Sequence, residues 1–373
     1  MTVKDKELQN EAGPTTAETP PAEPGAAEAR PAALDRGAIV FRWDLDKTYL
    51  RTEFESFRKM VRIPFEAATD KVHLPGVPEL IRALRRSAGE RGVQPYVFFL
   101  SASPPQIGNA IREKLRLDGV DYEGIIFKDQ LRNLIRGKWR SLREQVGYKL
   151  GELLASRLGG PVAGREVLFG DDWESDPLIY SLYADVLAGA ISPELIGELL
   201  LLLDVERGQI AQITSAATEL GRSPTNVVER IYINLERRTP PKSFHVFGPR
   251  LVPAFNYFQT GASLYEAGLL DEAALPEIAS ALVEQAGYTA GRLRNSLDDL
   301  VRRGHLRTAT RASIARILGR SGLVPRGRRE VTLRARIAAF LERQRRRWLR
   351  VQPAELGPAI DYRSIILGWG GRR

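Results

Sequence analysis

The sequence contains no cysteine and only three histidines. Without cysteine, disulfide bonds and thiolate metal sites are excluded. The histidines, at positions 73, 245 and 305, are scattered singly along the chain, which argues against a histidine metal site. Any metal chemistry is therefore expected to use carboxylate ligands.

Long hydrophobic runs are also lacking. The longest apolar patch, "LIGELLLLLDV", is interrupted by Glu198 and is expected to form a core helix. The first ten residues, "MTVKDKELQN", contain no apolar signal-peptide core. We therefore expect a cytoplasmic protein with no transmembrane segment, either free or held peripherally at a membrane.

Composition divides the chain of 373 residues into three parts. Residues 1–36 are rich in Ala, Pro and Glu and contain no aromatic residue, which predicts a disordered tail. Residues 37–205 alternate short apolar runs with helical patterns. Residues 206–373 show mainly helical patterns and many arginines, which predicts a helical C-terminal region.

The alternation in residues 37–205 predicts an α/β fold. Apolar runs such as "AIVFRW", "PYVFFLS" and "REVLFGDD" are separated by amphipathic stretches. Short apolar runs between helices are typical of parallel strands that are buried on both faces, and so indicate a doubly wound sheet. Beyond residue 206 the predicted helices are 208–220, 224–236, 273–287, 289–303, 308–319 and 331–350.

Polar side chains follow three of the predicted strands, where ligands bind in doubly wound sheets. The first strand is followed by Asp44, Asp46 and Thr48. The other two strands and the intervening helix supply the remaining candidates: Ser101, Ser103, Lys149, Asp171, Asp172 and Asp176.

Such a set suits phosphoryl transfer. Asp44 can attack phosphorus and form an aspartyl-phosphate, and Asp46 can move a proton to the leaving oxygen. Mg²⁺ prefers carboxylate oxygens, and the predicted metal ligands are Asp44, Asp46, Asp171, Asp172 and Asp176. Ser101 and Lys149 would hold the remaining phosphoryl oxygens.

Some assignments stay open at this point. Ser103 competes with Ser101 as the phosphate ligand, and Lys128 and Lys138 compete with Lys149. Asp172 is either a metal ligand or a solvated loop acid. Thr48, Ser103, Lys128 and Lys138 remain candidate substrate-binding residues.

Four of these features resemble the motifs of the haloacid dehalogenase (HAD) superfamily phosphatases. "DLDKT" is similar to their DxDxT motif, "FFLSAS" to their second motif and "GDDWESD" to their acidic fourth motif. Lys149 lies twenty-two residues before Asp171 (171 − 149), where the third-motif lysine is expected. The resemblance implies a HAD-like parallel sheet. Asp44 of the first motif and Ser101 of the second are only 57 positions apart (101 − 44), which leaves room for a small cap.

A narrower resemblance concerns "SASP", "GYK" and "GDDWESDPLIY". These look like the catalytic domain of the yeast actin-patch-associated phosphatidate phosphatase family, over about residues 38–192. The sequence departs from that family at Lys47, where Asp is usual, at Tyr148, where His is usual, and at Asp172, where Ser is usual. The resemblance implies phosphatidate or another lipid phosphate as substrate.

The net charge of +9 favours an anionic partner. Residues 291–350 carry eighteen Arg against four Asp and Glu, a balance of 18 − 4 = +14. This end is either a solvated face or a contact with an anionic membrane or nucleic acid. We expect a Mg²⁺-dependent phosphatase. The alternatives are a nucleic-acid or protein phosphatase, and a polyanion-binding protein with a non-catalytic HAD fold.

Overall fold

Six parallel strands form one sheet in the computed structural model, with the order β3-β2-β1-β4-β5-β6. The structure describes residues 35–50, 73–101, 107–127, 138–161, 163–173, 175–324 and 359–370. The strands are β1 (Asp35–Asp44), β2 (Gln94–Ser101), β3 (Gly124–Phe127), β4 (Ala163–Asp171), β5 (Val228–Asn234) and β6 (Leu251–Ala254).

Helices cover both faces of the sheet. In chain order they are α1 (Val77–Gly89), α2 (Gly108–Leu117), α3 (Lys138–Gly159), α4 (Asp176–Leu187), α5 (Pro193–Leu202), α6 (Arg207–Gly221), α7 (Tyr257–Glu266), α8 (Ala274–Ala286), α9 (Ala290–Arg302), α10 (Thr308–Arg320) and α11 (Tyr362–Gly370). A short 3₁₀ helix, Pro241–Phe247, precedes β6. The predicted doubly wound α/β fold is confirmed.

Alternate side chains of β4 enter two different cores. Val167 and Phe169 of β4 pack with residues of α1, α2 and α7 to α10 on one face. Leu168 of β4 packs with α3 to α6 and α11 on the other. This period of two along a strand is the reason that a strand buried on both faces shows an almost continuous apolar run.

One predicted helix is wrong. Residues 224–236 contain β5, which pairs with β4 and β6. The predicted boundary between residues 205 and 206 therefore falls inside a single sheet. Leu34–Arg373 form one compact unit that contains every described residue. The predicted helices at 208–220, 273–287, 289–303 and 308–319 correspond to α6, α8, α9 and α10.

Several predictions concern residues that the structure does not describe. The predicted tail, residues 1–36, lies outside the described residues except for its last two, which open β1. The predicted small cap falls mainly in 51–72, and the predicted helix 331–350 falls in 325–358. Both ranges lie outside the described residues. Among the described residues, no helix is long and apolar enough to cross a membrane.

The last helix, α11, is attached to the body of the fold by a buried hydrogen bond. The hydroxyl of Tyr362 donates to Asp185 Oδ2 on α4 at 2.6 Å. Arg250, just before β6, donates to the other oxygen of the same carboxylate at 2.9 Å. Because both donors are buried with their acceptor, this contact fixes where α11 begins.

Candidate functional site

The direction of winding reverses between β1 and β4. The chain moves from β1 outward to β2 and β3, and then returns to the other side of β1 at β4. Crevices that bind ligands form at the carboxyl ends of strands at such a reversal. Asp44 ends β1 and Asp171 ends β4, so that the two carboxylates meet there.

Three carboxylates converge at this edge. Asp44, Asp171 and Asp176 each offer one oxygen, and these oxygens all lie within 4.8 Å of one another. All three residues are fully buried. Gly170 permits the close packing, because a Cβ at this position would lie 2.7 Å from the Cβ of Asp176.

A buried lysine joins two of these acids. Lys149 on α3 donates to Asp44 Oδ1 and to Asp176 Oδ1, both at 2.7 Å. Its ammonium has no solvent exposure, and carboxylate partners offset the cost of burying the charge. Lys149 is therefore the lysine at the acids. Lys128 lies outside the described residues, and of Lys138 only the backbone, at the start of α3, is described.

Asp46 and Ser101 form a second pair beside the acids. Ser101 Oγ donates to Asp46 Oδ2 at 2.9 Å, and both side chains are buried. The backbone N–H of Leu45 also donates to the carbonyl of Leu100 at 2.8 Å, which keeps the loop after β1 next to the end of β2. Ser103 lies outside the described residues.

Two of the predicted metal ligands, Asp46 and Asp172, do not belong to the three-carboxylate cluster. Asp172 accepts backbone N–H bonds from Arg237 at 2.8 Å and from Thr239 at 3.0 Å. These bonds fasten the loop after β5 to the loop after β4. Each Asp172 oxygen thus accepts a backbone hydrogen, and its assignment as a metal ligand stays a prediction.

The donors of the cluster fit a hard divalent cation. Three buried carboxylates carry a formal charge of −3, and Lys149 supplies +1. An oxygen-only set with an excess of negative charge is what Mg²⁺ binds in proteins. The negative charge of these carboxylates also affects two tyrosines nearby. Burial raises the pKa of Tyr180 and of Tyr257 well above the usual range, and the neighbouring carboxylates add to the effect in both.

The C-terminal half supports the loop that carries Asp46. Tyr257, the first residue of α7, is buried, and its hydroxyl donates to the backbone carbonyl of Thr48 at 2.5 Å. The Thr48 hydroxyl is itself buried and has no hydrogen-bond partner within the described part of the chain. No local sequence pattern predicts this contact, because 209 positions separate the two residues.

A cation–aromatic cluster, formed by Lys47, Trp173 and Arg237, borders the acids. The ring centroid of Trp173 lies 4.0 Å from Lys47 Nζ and 4.7 Å from the guanidinium carbon of Arg237. The backbone N–H of Trp173 donates to Asp171 Oδ1 at 2.5 Å. None of these three residues was predicted from the sequence to belong to the site.

Comparisons with protein-family models, with curated proteins and with solved structures find no match to this chain. The resemblance to HAD phosphatases accordingly depends on the sequence motifs, and the function has to be argued from the side chains at the carboxyl edge of the sheet.

Proposed function

We propose that this chain is a Mg²⁺-dependent HAD-type phosphomonoester hydrolase that acts through an aspartyl-phosphate on Asp44. One observation carries the proposal. Lys149 bridges Asp44 and Asp176 inside a cluster that also contains Asp171. The candidate nucleophile, its cation and the candidate metal ligands thus come from three separate parts of the chain and meet at one buried point.

Asp44, Asp171 and Asp176 are the residues that would hold the metal ion. When bound, Mg²⁺ supplies positive charge that neutralises phosphoryl oxygens and orients the ester for attack. Lys149 orients the Asp44 carboxylate, because its ammonium donates a charge-assisted hydrogen bond to Asp44 Oδ1. Lys149 and the Ser101 hydroxyl are the donors available for the other phosphoryl oxygens.

The proposed reaction has two displacements. An oxygen of Asp44 attacks phosphorus, the ester P–O bond breaks, and Asp46 gives a proton to the leaving oxygen. Asp46 then takes a proton from a water molecule, which attacks phosphorus and breaks the bond to Asp44. The products are the alcohol and inorganic phosphate, and both carboxyl groups return to their starting states.

The intact set of residues favours this function over a non-catalytic binding protein. One edge of the sheet buries four of the candidate residues: Asp44, Asp46, Ser101 and Lys149. Burying charged groups costs free energy unless they are paired or take part in catalysis. The choice of phosphatidate or another lipid phosphate rests on the resemblance alone. A nucleic-acid or protein phosphatase remains the alternative that the basic charge would suit.

A substrate panel tests the proposal. Phosphatidate, nucleotides, sugar phosphates and phosphopeptides are incubated with the full chain, with Mg²⁺ or with EDTA, and inorganic phosphate is measured. We expect release from at least one class with Mg²⁺, and its loss in EDTA and in the Asp44→Asn variant. Release that is equal in EDTA or in Asp44→Asn, or no release from any class, would overturn the proposal.

A further inference from the structure

A second buried network lies further from the carboxyl edge of the sheet than the acids, and the proposed reaction does not use it. Glu166 on β4 is its centre, and its two oxygens accept from Arg42 on β1 at 2.9 Å and from Arg157 on α3 at 2.8 Å. Tyr183 on α4 also donates to Glu166, at 2.8 Å. Arg42 donates to Ser156 on α3 at 2.8 Å as well. These five residues are called the arginine–glutamate network below.

The arginine–glutamate network and the acid site join the same four elements. The members of the acid site come from β1, β4, α3 and α4, in the order Asp44, Asp171, Lys149 and Asp176. Each of these elements also supplies the network with at least one residue. On β1, Arg42 and Asp44 are two positions apart (44 − 42) and therefore lie on the same side of the strand. The two sets thus form consecutive layers between the same strands and helices.

The spacing along both helices brings the two layers into line. Ser156 follows Lys149 by seven positions (156 − 149) on α3. Tyr183 follows Asp176 by seven positions (183 − 176) on α4. Seven residues make about two turns, so each pair lies on one face of its helix, about 10 Å apart along the axis. A hydrogen bond of the network residue therefore also limits where the site residue of the same helix can lie relative to the sheet.

Stability alone is a weak reason for burying these charges. At most 5% of the surface of Arg42, Arg157 and Glu166 is exposed. Buried ion pairs can often be replaced by apolar residues of similar volume without loss of stability, because desolvation offsets their attraction. Apolar contacts are non-directional, however, whereas several charge-assisted hydrogen bonds together accept only one geometry. The network is therefore suited to hold two helices at one position on the sheet.

From these contacts we infer that the arginine–glutamate network positions Lys149 and Asp176 at the end of β1. Ser156 and Arg157 fix α3 and with it the ammonium of Lys149. Tyr183 fixes α4 and with it the carboxylate of Asp176, which this ammonium contacts at 2.7 Å. They are positioning residues, because within the described part of the chain no hydrogen bond joins them to the acids. The consequence for catalysis rests on the proposed function, whereas the position of Lys149 does not.

Acetylation of the full chain tests the position of Lys149 without metal or substrate. The protein is treated with acetic anhydride, and mass spectrometry gives the rate at Lys149 relative to the exposed Lys242. Because Lys149 is fully buried, it reacts only when its surroundings open. In Tyr183→Phe and in Ser156→Ala this relative rate should rise about ten-fold, as is typical when one hydrogen bond to a charged group is lost. Each change keeps all three charges of the network, so both variants are expected to fold.

Tyr362→Phe is the matched control. Tyr362 also donates to a buried carboxylate that an arginine holds, since Asp185 accepts from Tyr362 at 2.6 Å and from Arg250 at 2.9 Å. This bond attaches α11 and belongs to neither layer. Tyr362→Phe should lose a similar amount of thermal stability and leave the relative rate within about two-fold of wild type, as is usual for independent sites.

The comparison with the control decides the inference. If neither Tyr183→Phe nor Ser156→Ala raises the relative rate above that of Tyr362→Phe, the network only stabilises the fold and the inference is wrong. An excess in one of the two variants alone assigns the positioning to the helix that carries the changed residue.

Kinetics with a substrate that the panel identifies extend the test to catalysis. With saturating Mg²⁺, Tyr183→Phe and Ser156→Ala should lower kcat about ten-fold and leave KM within about two-fold, because displaced reacting groups affect the transition state more than binding. Tyr362→Phe should keep the wild-type kcat. Faster acetylation of Lys149 without turnover of any substrate supports the network, and only the proposed function then fails. Faster acetylation with an unchanged kcat would overturn the consequence for catalysis.

Discussion

Lys149 Nζ and Asp44 Oδ1 lie 2.7 Å apart, although 105 positions separate the two residues in the sequence. Lys149 makes an equally short contact with Asp176, so a single ammonium holds the last residue of β1 next to the first residue of α4. The contact links fold and chemistry, because the group that offsets buried negative charge also orients the candidate nucleophile.

Replacing Asp44 with asparagine should abolish turnover while the fold persists. Asn keeps the shape of the side chain, and Lys149 keeps Asp176 as its partner. Loss of a covalent nucleophile can lower kcat by about 10⁶-fold. Phosphate release and thermal unfolding check both expectations. Asp121→Asn, at an exposed position, is the control and should behave as wild type; activity near wild type in Asp44→Asn would contradict the assignment.

Mg²⁺ affinity should depend on Asp171 far more than on Asp46 or Asp172. Asp171 belongs to the three-carboxylate cluster, whereas Asp46 accepts from Ser101 and Asp172 accepts from backbone N–H groups. Calorimetric titration should show a loss of more than about ten-fold in Asp171→Asn, since even residues that only support metal ligands change affinity by about 10–100-fold. Mg²⁺ binding that survives Asp171→Asn but disappears in Asp46→Asn would show that the roles are reversed.

Tyr257→Phe should lower both stability and kcat. The change removes the hydrogen bond to the Thr48 carbonyl, which costs about 1 kcal/mol and frees the loop that carries Asp46. Small displacements of reacting groups raise the activation barrier, and we therefore expect kcat to fall roughly ten-fold. Tyr232→Phe is the matched control, because this buried tyrosine donates to Ser263 and not to the loop. It should lose similar stability and keep its kcat.

Glu166→Gln should destabilise the fold severely. Glu166 is fully buried and pairs with Arg42 at 2.9 Å and with Arg157 at 2.8 Å. Burial raises the pKa of Glu166, but the two guanidinium groups outweigh burial and leave that pKa below its usual value. Removing the charge of Glu166 leaves two buried guanidinium groups without a charged partner, which lowers the free energy of unfolding by about 3–5 kcal/mol. Chemical denaturation measures this loss. Glu229→Gln, whose partner Arg165 is partly exposed, should lose less.

Asp118 should contribute stability that disappears in acid. Burial raises the pKa of Asp118, but hydrogen bonds with His73, Lys114 and Tyr49 outweigh it and hold that pKa at about 2. A carboxyl whose pKa is lower in the folded state stabilises the fold above its unfolded pKa of 3.8, and loses the effect as the pH falls towards 2.

The measurement is the free energy of unfolding of wild type and Asp118→Asn across this range. The wild type should be more stable by about 1 kcal/mol at neutral pH, after allowance for solvent screening, and the difference should shrink between about pH 4 and pH 2. A difference that widens in acid would show that the carboxylate is not the stabilising form.

The strand ends could be predicted from the sequence because their signal is local. Asp44 and Asp171 each close an apolar run, and parallel strands bring such ends to one edge. β5 was harder to predict, since apolar residues within it and directly beside it recur at i, i+1, i+4, i+5 and i+8, which is also a helical pattern. These residues are Val227, Val228, Ile231, Tyr232 and Leu235.

Contacts between distant segments could not be predicted, because no local sequence pattern indicates them. Tyr257 begins an ordinary helix and Arg237 lies in a turn, and only the folded chain shows that they contact the loops after β1 and β4. Asp172 was ambiguous for a similar reason. A carboxylate beside a metal ligand and a carboxylate that binds backbone hydrogens look identical in one sequence, and the choice depends on a loop 65 positions away.

The attachment of α11 to the folded body determines which variants can test the arginine-rich end. Because Tyr362 is bonded to Asp185 on α4, described parts of the folded body lie on both sides of residues 325–358 in the sequence. Truncation after Pro325 would remove α11 together with the arginines. A protease cut within 325–358 would instead produce two fragments held together without a covalent link. The basic stretch is best studied by internal substitution, which leaves this attachment in place.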